Sequence, residues 1–128
     1  MNQQKVRPFL MFTGKAEEAM NNYVSIFEGS EINSIHHHEN GSVLHALFKL
    51  KGQEIMCIDS IVQHDFSFTP AISLFVVCDS EAEIEDAFEK LLKGGSILMP
   101  LAASPVSEKF GWVQDQYGVS WQLNYSKS

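Results

Sequence analysis

The chain has 128 residues, a mass of 14.4 kDa and 45% hydrophobic residues: enough for one hydrophobic core without disulfide or metal staples, and too short for a second full domain. Sixteen acidic against nine basic residues give a net charge of −7 and an isoelectric point near 5.1, which excludes a nucleic-acid surface, because a polyanion is bound by clustered Lys and Arg. No apolar run approaches the roughly 20 residues of a membrane span, and Met1 to Gln4 leads into a strand rather than a signal-peptide core, so the expected setting is cytoplasmic, away from any membrane. Cys57 and Cys78 lack CxxC spacing and read as buried thiols.

Pro8 to Phe12 is a short apolar strand broken by Thr13-Gly14. A helix follows, because Ala16, Ala19, Met20, Tyr23, Val24 and Phe27 recur at helical spacing along one stripe, and Gly29 closes it. Glu31 to His38 and Val43 to Leu50 are strands joined around Asn40-Gly41, a hairpin signal, and Gln53 to Ile58 is a further strand. Asp59 to Pro70 reads as a polar linker, so module 1 covers about 6–59, the linker 60–70 and module 2 about 71–126.

In the second module Ala71 to Cys78 is an apolar strand and Ser80-Glu81-Ala82-Glu83 a capping box. The helix that follows has Ile84, Ala87, Phe88 and Leu91 as its buried stripe and ends at Lys93-Gly94-Gly95. Ser96 to Met99 is a strand, Pro100 to Lys109 a loop, and Gly111 to Gln114 with Ser120 to Leu123 a hairpin turning at Asp115-Gln116-Tyr117-Gly118.

The element order β-α-β-β-β occurs twice. An offset of 65 residues pairs Leu10 with Phe75, Phe12 with Val77, Tyr23 with Phe88 and Gly29 with Gly94; an offset of 66 pairs Ala46 with Trp112, Gly52 with Gly118, Ile55 with Trp121 and Met56 with Gln122. The fold class is therefore α+β: two tandem βαβββ modules whose curved mixed sheets enclose a concave pocket, with the helices outside.

Three stretches, PFLMFTGKAEEAMNNYVSIFEGSE, AISLFVVCDSEAEIEDAFEKLLKGG and FGWVQDQYGVSWQL, resemble the vicinal oxygen chelate superfamily of glyoxalases, bleomycin-resistance proteins and extradiol dioxygenases. Within it the chain is most similar to the PhnB-like group, often described as demethylubiquinone methyltransferase-like. The resemblance spans nearly the whole chain as a single vicinal-oxygen-chelate-type domain, 1–128, and implies a homodimer.

It also implies a divalent metal held by side chains on the first and last strands of each module. At those positions this chain has Pro8, Met56, Ser73 and Gln122, and one neutral amide oxygen does not hold a divalent ion against water. No metal or other cofactor is expected. His36-His37-His38 alternates between strand faces and reads as a solvated strand, and His64 as a loop residue. A methyltransferase of the usual kind needs a Gly-rich loop after its first strand, whereas Phe12-Thr13-Gly14-Lys15 has one glycine.

What remains is a pocket lined by Leu10, Phe12, Met56, Phe75, Trp112 and Gln122, with His45 and Cys57 at its margin. Such a lining suits a small hydrophobic or aromatic ligand bound without metal. Two alternatives stand beside that reading. One is a metal-dependent lyase, isomerase or dioxygenase using His45, Glu54 and Gln122 as displaced ligands; the other is a structural or regulatory dimer.

Overall fold

Residues 4–126 are described by a computed structural model. Of the segment Met1 to Gln4 only Gln4 lies within that range, and its backbone N–H donates to Glu54 Oε1 at 3.1 Å. The chain divides into two units, Met1–Gln63 and His64–Ser128, the boundary falling inside the segment read as a linker.

The first unit runs β1 (Phe9–Phe12), α1 (Ala16–Ile26), β2 (Glu31–His37), β3 (Val43–Leu50) and β4 (Gln53–Asp59). Its sheet has the order β1-β4-β3-β2. The crossover through α1 makes β1 parallel to β4, while the other neighbours are antiparallel. The buried stripe of α1, Ala16, Ala19, Met20, Tyr23 and Ile26, packs on Val43, Ala46, Phe48, Ile55 and Cys57 of one sheet face. Each large apolar side chain buried there contributes about 1.5–3 kcal/mol.

Helix α1 has no capping side chain of its own, since Lys15 at its N-cap makes no such bond. Asp59 supplies the cap from the far end of β4: Oδ1 accepts from Gly14 N at 2.7 Å and Ala16 N at 3.0 Å, and Oδ2 from Val43 N at 2.9 Å. Asp59 is therefore a buried strand residue, not the first residue of a polar linker. The buried carboxylate is tolerated because three backbone donors surround it.

The second unit runs β5 (Leu74–Cys78), α2 (Glu81–Leu92), β6 (Ser96–Ser104), β7 (Ser107–Gln114) and β8 (Ser120–Tyr125), with sheet order β5-β8-β7-β6. Strand β5 starts at Leu74 rather than Ala71. The Ser80 hydroxyl accepts from Glu83 N at 3.0 Å as a capping box requires, but Glu83 Oε1 reaches past Ser80 to Asp79 N at 2.6 Å. The larger correction concerns Pro100 to Lys109. This stretch is not a loop but most of a hairpin, β6 extending to Ser104 and β7 beginning at Ser107. Pro100 fits because β6 is an edge strand whose pairing with β7 shifts register between Met99 and Ala102, where a missing N–H leaves no ladder bond broken.

The turn between β7 and β8 is built on Asp115. Its Oδ1 accepts from Tyr117 N at 2.8 Å and Val119 N at 3.0 Å, and its Oδ2 from the indole of the fully buried Trp121 at 2.9 Å.

Burial corrects the register of the repeat. Phe12 and Cys78 are both buried at the ends of β1 and β5, and Ala46 and Gly111 are both buried on β3 and β7. Cys78, not Val77, is thus the counterpart of Phe12, and Gly111, not Trp112, that of Ala46. Phe75 then corresponds to Phe9 rather than Leu10. The loop before α1 has three residues, Thr13 to Lys15, and that before α2 has two, Asp79 and Ser80. A side chain at Gly111 would force its neighbours to move, since an added Cβ would lie 2.7 Å from Phe88 Cε2 and 2.9 Å from Leu101 Cδ2.

Asp59→Ala should lower unfolding free energy by roughly 3 kcal/mol, because it strands three backbone donors, whereas Ser80→Ala should cost about 1 kcal/mol; urea denaturation of the two variants measures the difference. The Cys57 thiol is pushed up from 9.0 to about 12 by burial and, secondarily, by the charge of Asp59. Native protein should therefore resist iodoacetamide at Cys57 at pH 8. The unfolded chain ionises this thiol first, so stability should fall as pH rises from 9.0 toward about 12. Comparing urea midpoints across that window should show a shallower fall in Cys57→Ala.

Candidate functional site

Each sheet has one face under its helix and one face turned the other way, called open here. Register assigns the side chains, since residues directly opposite on neighbouring strands point to the same side. In the first sheet Ser34, Leu47, Met56 and Phe9 form one row across the open face, with His36 and His45 opposite one another in the next row. His45 thus shares a face with Leu47, Lys49 and Met56. Leu10 does not: it pairs with the fully buried Cys57 on the helix side. Phe12 pairs with Asp59 there and is 4% exposed. The predicted lining therefore mixed two faces, because a one-residue error in register moves every side chain across the sheet.

In the second sheet the predicted residues come together. Met99, Trp112, Gln122 and Phe75 lie in register as a single row across all four strands of the open face. Phe75 is 58% exposed, and Trp112 and Gln122 are half-buried. Beside the row a hydrogen-bonded chain runs through two serines. Trp112 Nε1 donates to Ser120 Oγ at 2.7 Å, Ser120 Oγ lies 2.6 Å from Ser73 Oγ, and Gln122 Nε2 donates to Ser73 Oγ at 3.4 Å. An aromatic platform with a few fixed polar atoms is what orients a small apolar ligand. Ser73 enters the sequence reading only at a metal-ligand position, and Ser120 does not enter it. The alternation of β8 places Ser120 and Gln122 on one side, and that signal was available.

The donors at the family's metal positions do not fit a divalent ion. Pro8 contributes only its carbonyl, which accepts from Met56 N at 2.9 Å; Met56 offers a thioether; Ser73 and Gln122 are neutral and bonded to each other. The displaced set fares no better, because Glu54 already accepts from Gln4 N and lies 3.6 Å from Arg7 Nε. Among the described residues no three His, Cys, Asp or Glu side chains converge on a common point. His37 Nε2 lies 2.8 Å from Glu17 Oε1 of α1, and the ring of His64 stacks on Phe66 at 4.6 Å.

Nor is there a cradle for the phosphate or carboxylate of a nucleotide-like cofactor after the first strand. The amides of Gly14 and Ala16, which would point at such a group, are occupied by Asp59. At the start of α2 the amide of Asp79 is bonded to Glu83 Oε1 and that of Glu83 to Ser80 Oγ.

A family model described as 3-demethylubiquinone-9 3-methyltransferase matches residues 4–124. No curated protein matches. Among solved structures the chain is similar to a putative 3-demethylubiquinone-9 3-methyltransferase, PhnB protein, from Bacillus cereus, at 56% identity over 96% of this chain and 100% of that one, with a TM-score of 0.93. A glyoxylase/bleomycin resistance protein/dioxygenase domain from Frankia sp. EAN1pec is 11% identical over 100% of this chain and 95% of its own, with a TM-score of 0.70. The fosfomycin resistance protein FosX from Listeria monocytogenes is 14% identical over 99% of this chain and 96% of its own, with a TM-score of 0.65. The last two likenesses show the shared fold alone.

Proposed function

Since the chain belongs to the 3-demethylubiquinone-9 3-methyltransferase-like (PhnB) family, whose fold is that of the glyoxalase/bleomycin-resistance proteins, we propose that it uses this fold to bind a small hydrophobic or aromatic molecule without a metal. The observation that carries the reading is the row Phe75, Gln122, Trp112 and Met99 on the open face of the second sheet. Two aromatic rings there flank an amide, offering stacking surface and orientation together. The methyl transfer in the family's description has no support in these residues, because the amides at the first helix start already serve Asp59.

The proposal includes a homodimer. Phe75, Val77 and Met99 of the second sheet each expose about half or more of their surface, and exposed apolar side chains on one sheet face commonly mark a contact with a partner. It also includes a cytoplasmic setting, where Cys57 and Cys78, buried and outside any disulfide, stay reduced. Among the described residues no helix is long and apolar enough to cross a membrane.

The test begins with elemental analysis of protein prepared without a histidine tag or nickel column, and thermal melts with and without chelator. The expected outcome is less than stoichiometric metal and a melting temperature indifferent to chelator. One tightly held ion per chain with a chelator-sensitive melt would favour the metal enzyme instead. Melts with bicyclic aromatic compounds should then rise, by about 2.7 kcal/mol of stabilisation at a hundredfold excess over Kd, and Trp112→Ala should abolish the rise. A structural dimer would respond to none of these compounds. Size-exclusion chromatography should give twice 14.4 kDa.

A further inference from the structure

The hydrogen-bonded chain on the open face of the second sheet is not balanced within itself. Trp112 Nε1 can only donate, and its proton goes to Ser120 Oγ at 2.7 Å. Ser120 is 1% exposed, so its own hydroxyl proton needs a protein acceptor, and Ser73 Oγ lies 2.6 Å away. Gln122 Nε2 also donates to Ser73 Oγ, at 3.4 Å. A hydroxyl oxygen has two lone pairs. Ser73 thus accepts twice, and its own proton is left pointing out of the chain. Gln122 Oε1 is the complement, since among the described residues no donor reaches it. Ser73 and Phe75 lie on the same side of the chain entering and running along β5, and Phe75 is directly opposite Gln122. One hydroxyl donor and one amide acceptor therefore sit side by side at the edge of an exposed aromatic ring.

We propose that Ser73 Oγ–H and Gln122 Oε1 together read a neighbouring acceptor–donor edge on a planar aromatic ligand, such as the C=O and N–H of a lactam, while the ligand ring lies against Phe75. The inference rests on the aromatic-ligand reading above and narrows it to a chemical class. Trp112 and Ser120 act as positioning residues: the indole holds Ser120, and Ser120 turns the Ser73 proton outward. Both groups of the pair are neutral, so the edge they select is an uncharged one; a carboxylate would meet Gln122 Oε1 without a proton to share.

Three isosteric probes separate the class from the general reading: 2-quinolone has both the donor and the acceptor, quinoline only the acceptor, and naphthalene neither. Titration calorimetry on the full chain should rank them in that order, each added hydrogen bond worth roughly three- to tenfold in Kd. Ser73→Ala should remove the advantage of quinoline over naphthalene. Gln122→Leu should remove the further advantage of 2-quinolone over quinoline. Equal affinity of wild-type protein for all three probes would overturn the inference and leave the aromatic platform standing. Binding of none of them would overturn both.

Discussion

A carboxylate removed from water must find donors for its lone pairs, and in the first unit that requirement ties together segments far apart in sequence. Asp59 ends β4, yet its three partners are Gly14, Ala16 and Val43. They lie before α1, at its first turn and at the start of β3. Losing this one side chain would leave the helix uncapped and the start of a strand unanchored at once. In the second unit the same demand is met more locally. Asp115 holds its own turn and then reaches the indole of Trp121, so the hairpin and the buried face of the sheet are fixed by one group. The helix there is left to a serine cap of ordinary kind.

Much of the fold was legible because its signals are local. The stripe Ala16, Ala19, Met20 and Tyr23, the serine ahead of α2, and the glycines at the turns each announce an element within a few residues. What was not legible depends on partners elsewhere. Nothing near Asp59 says that it is buried, since its donors lie in other elements. Nothing in Pro100 to Lys109 says strand, because small residues and prolines are poor strand formers unless a neighbour such as β7 pairs with them.

The candidate site was half legible for a related reason. Phe75 and Trp112 stand out through the repeat and Gln122 through the ligand position the resemblance implies, and the three share a row. Leu10 and Phe12 were brought in by aligning the modules at a constant offset across β1 and α1. The shorter loop before α2 breaks that offset, and an extra residue in the turn before β8 shifts the last strand by the same amount. Because both members of the parallel pair move together, Phe12 opposite Asp59 becomes Cys78 opposite Tyr125 without disturbing the ladder. Residue identity survives such paired changes better than numbering does. The open faces have meanwhile diverged in chemistry: Leu47 and Met56 in the first sheet stand where Trp112 and Gln122 stand in the second.

Pro100 bears on how this chain keeps from joining others of its kind indiscriminately. An unpaired strand edge is a template for further strands, and the row of exposed apolar residues on the same sheet would make such growth self-reinforcing. Strand β6 is one of the two edges of the second sheet, and a residue with no N–H, set where the strand changes register, makes that edge a less regular template. A further strand laid along β6 would therefore lack a ladder bond at Pro100 and meet an irregular register around it.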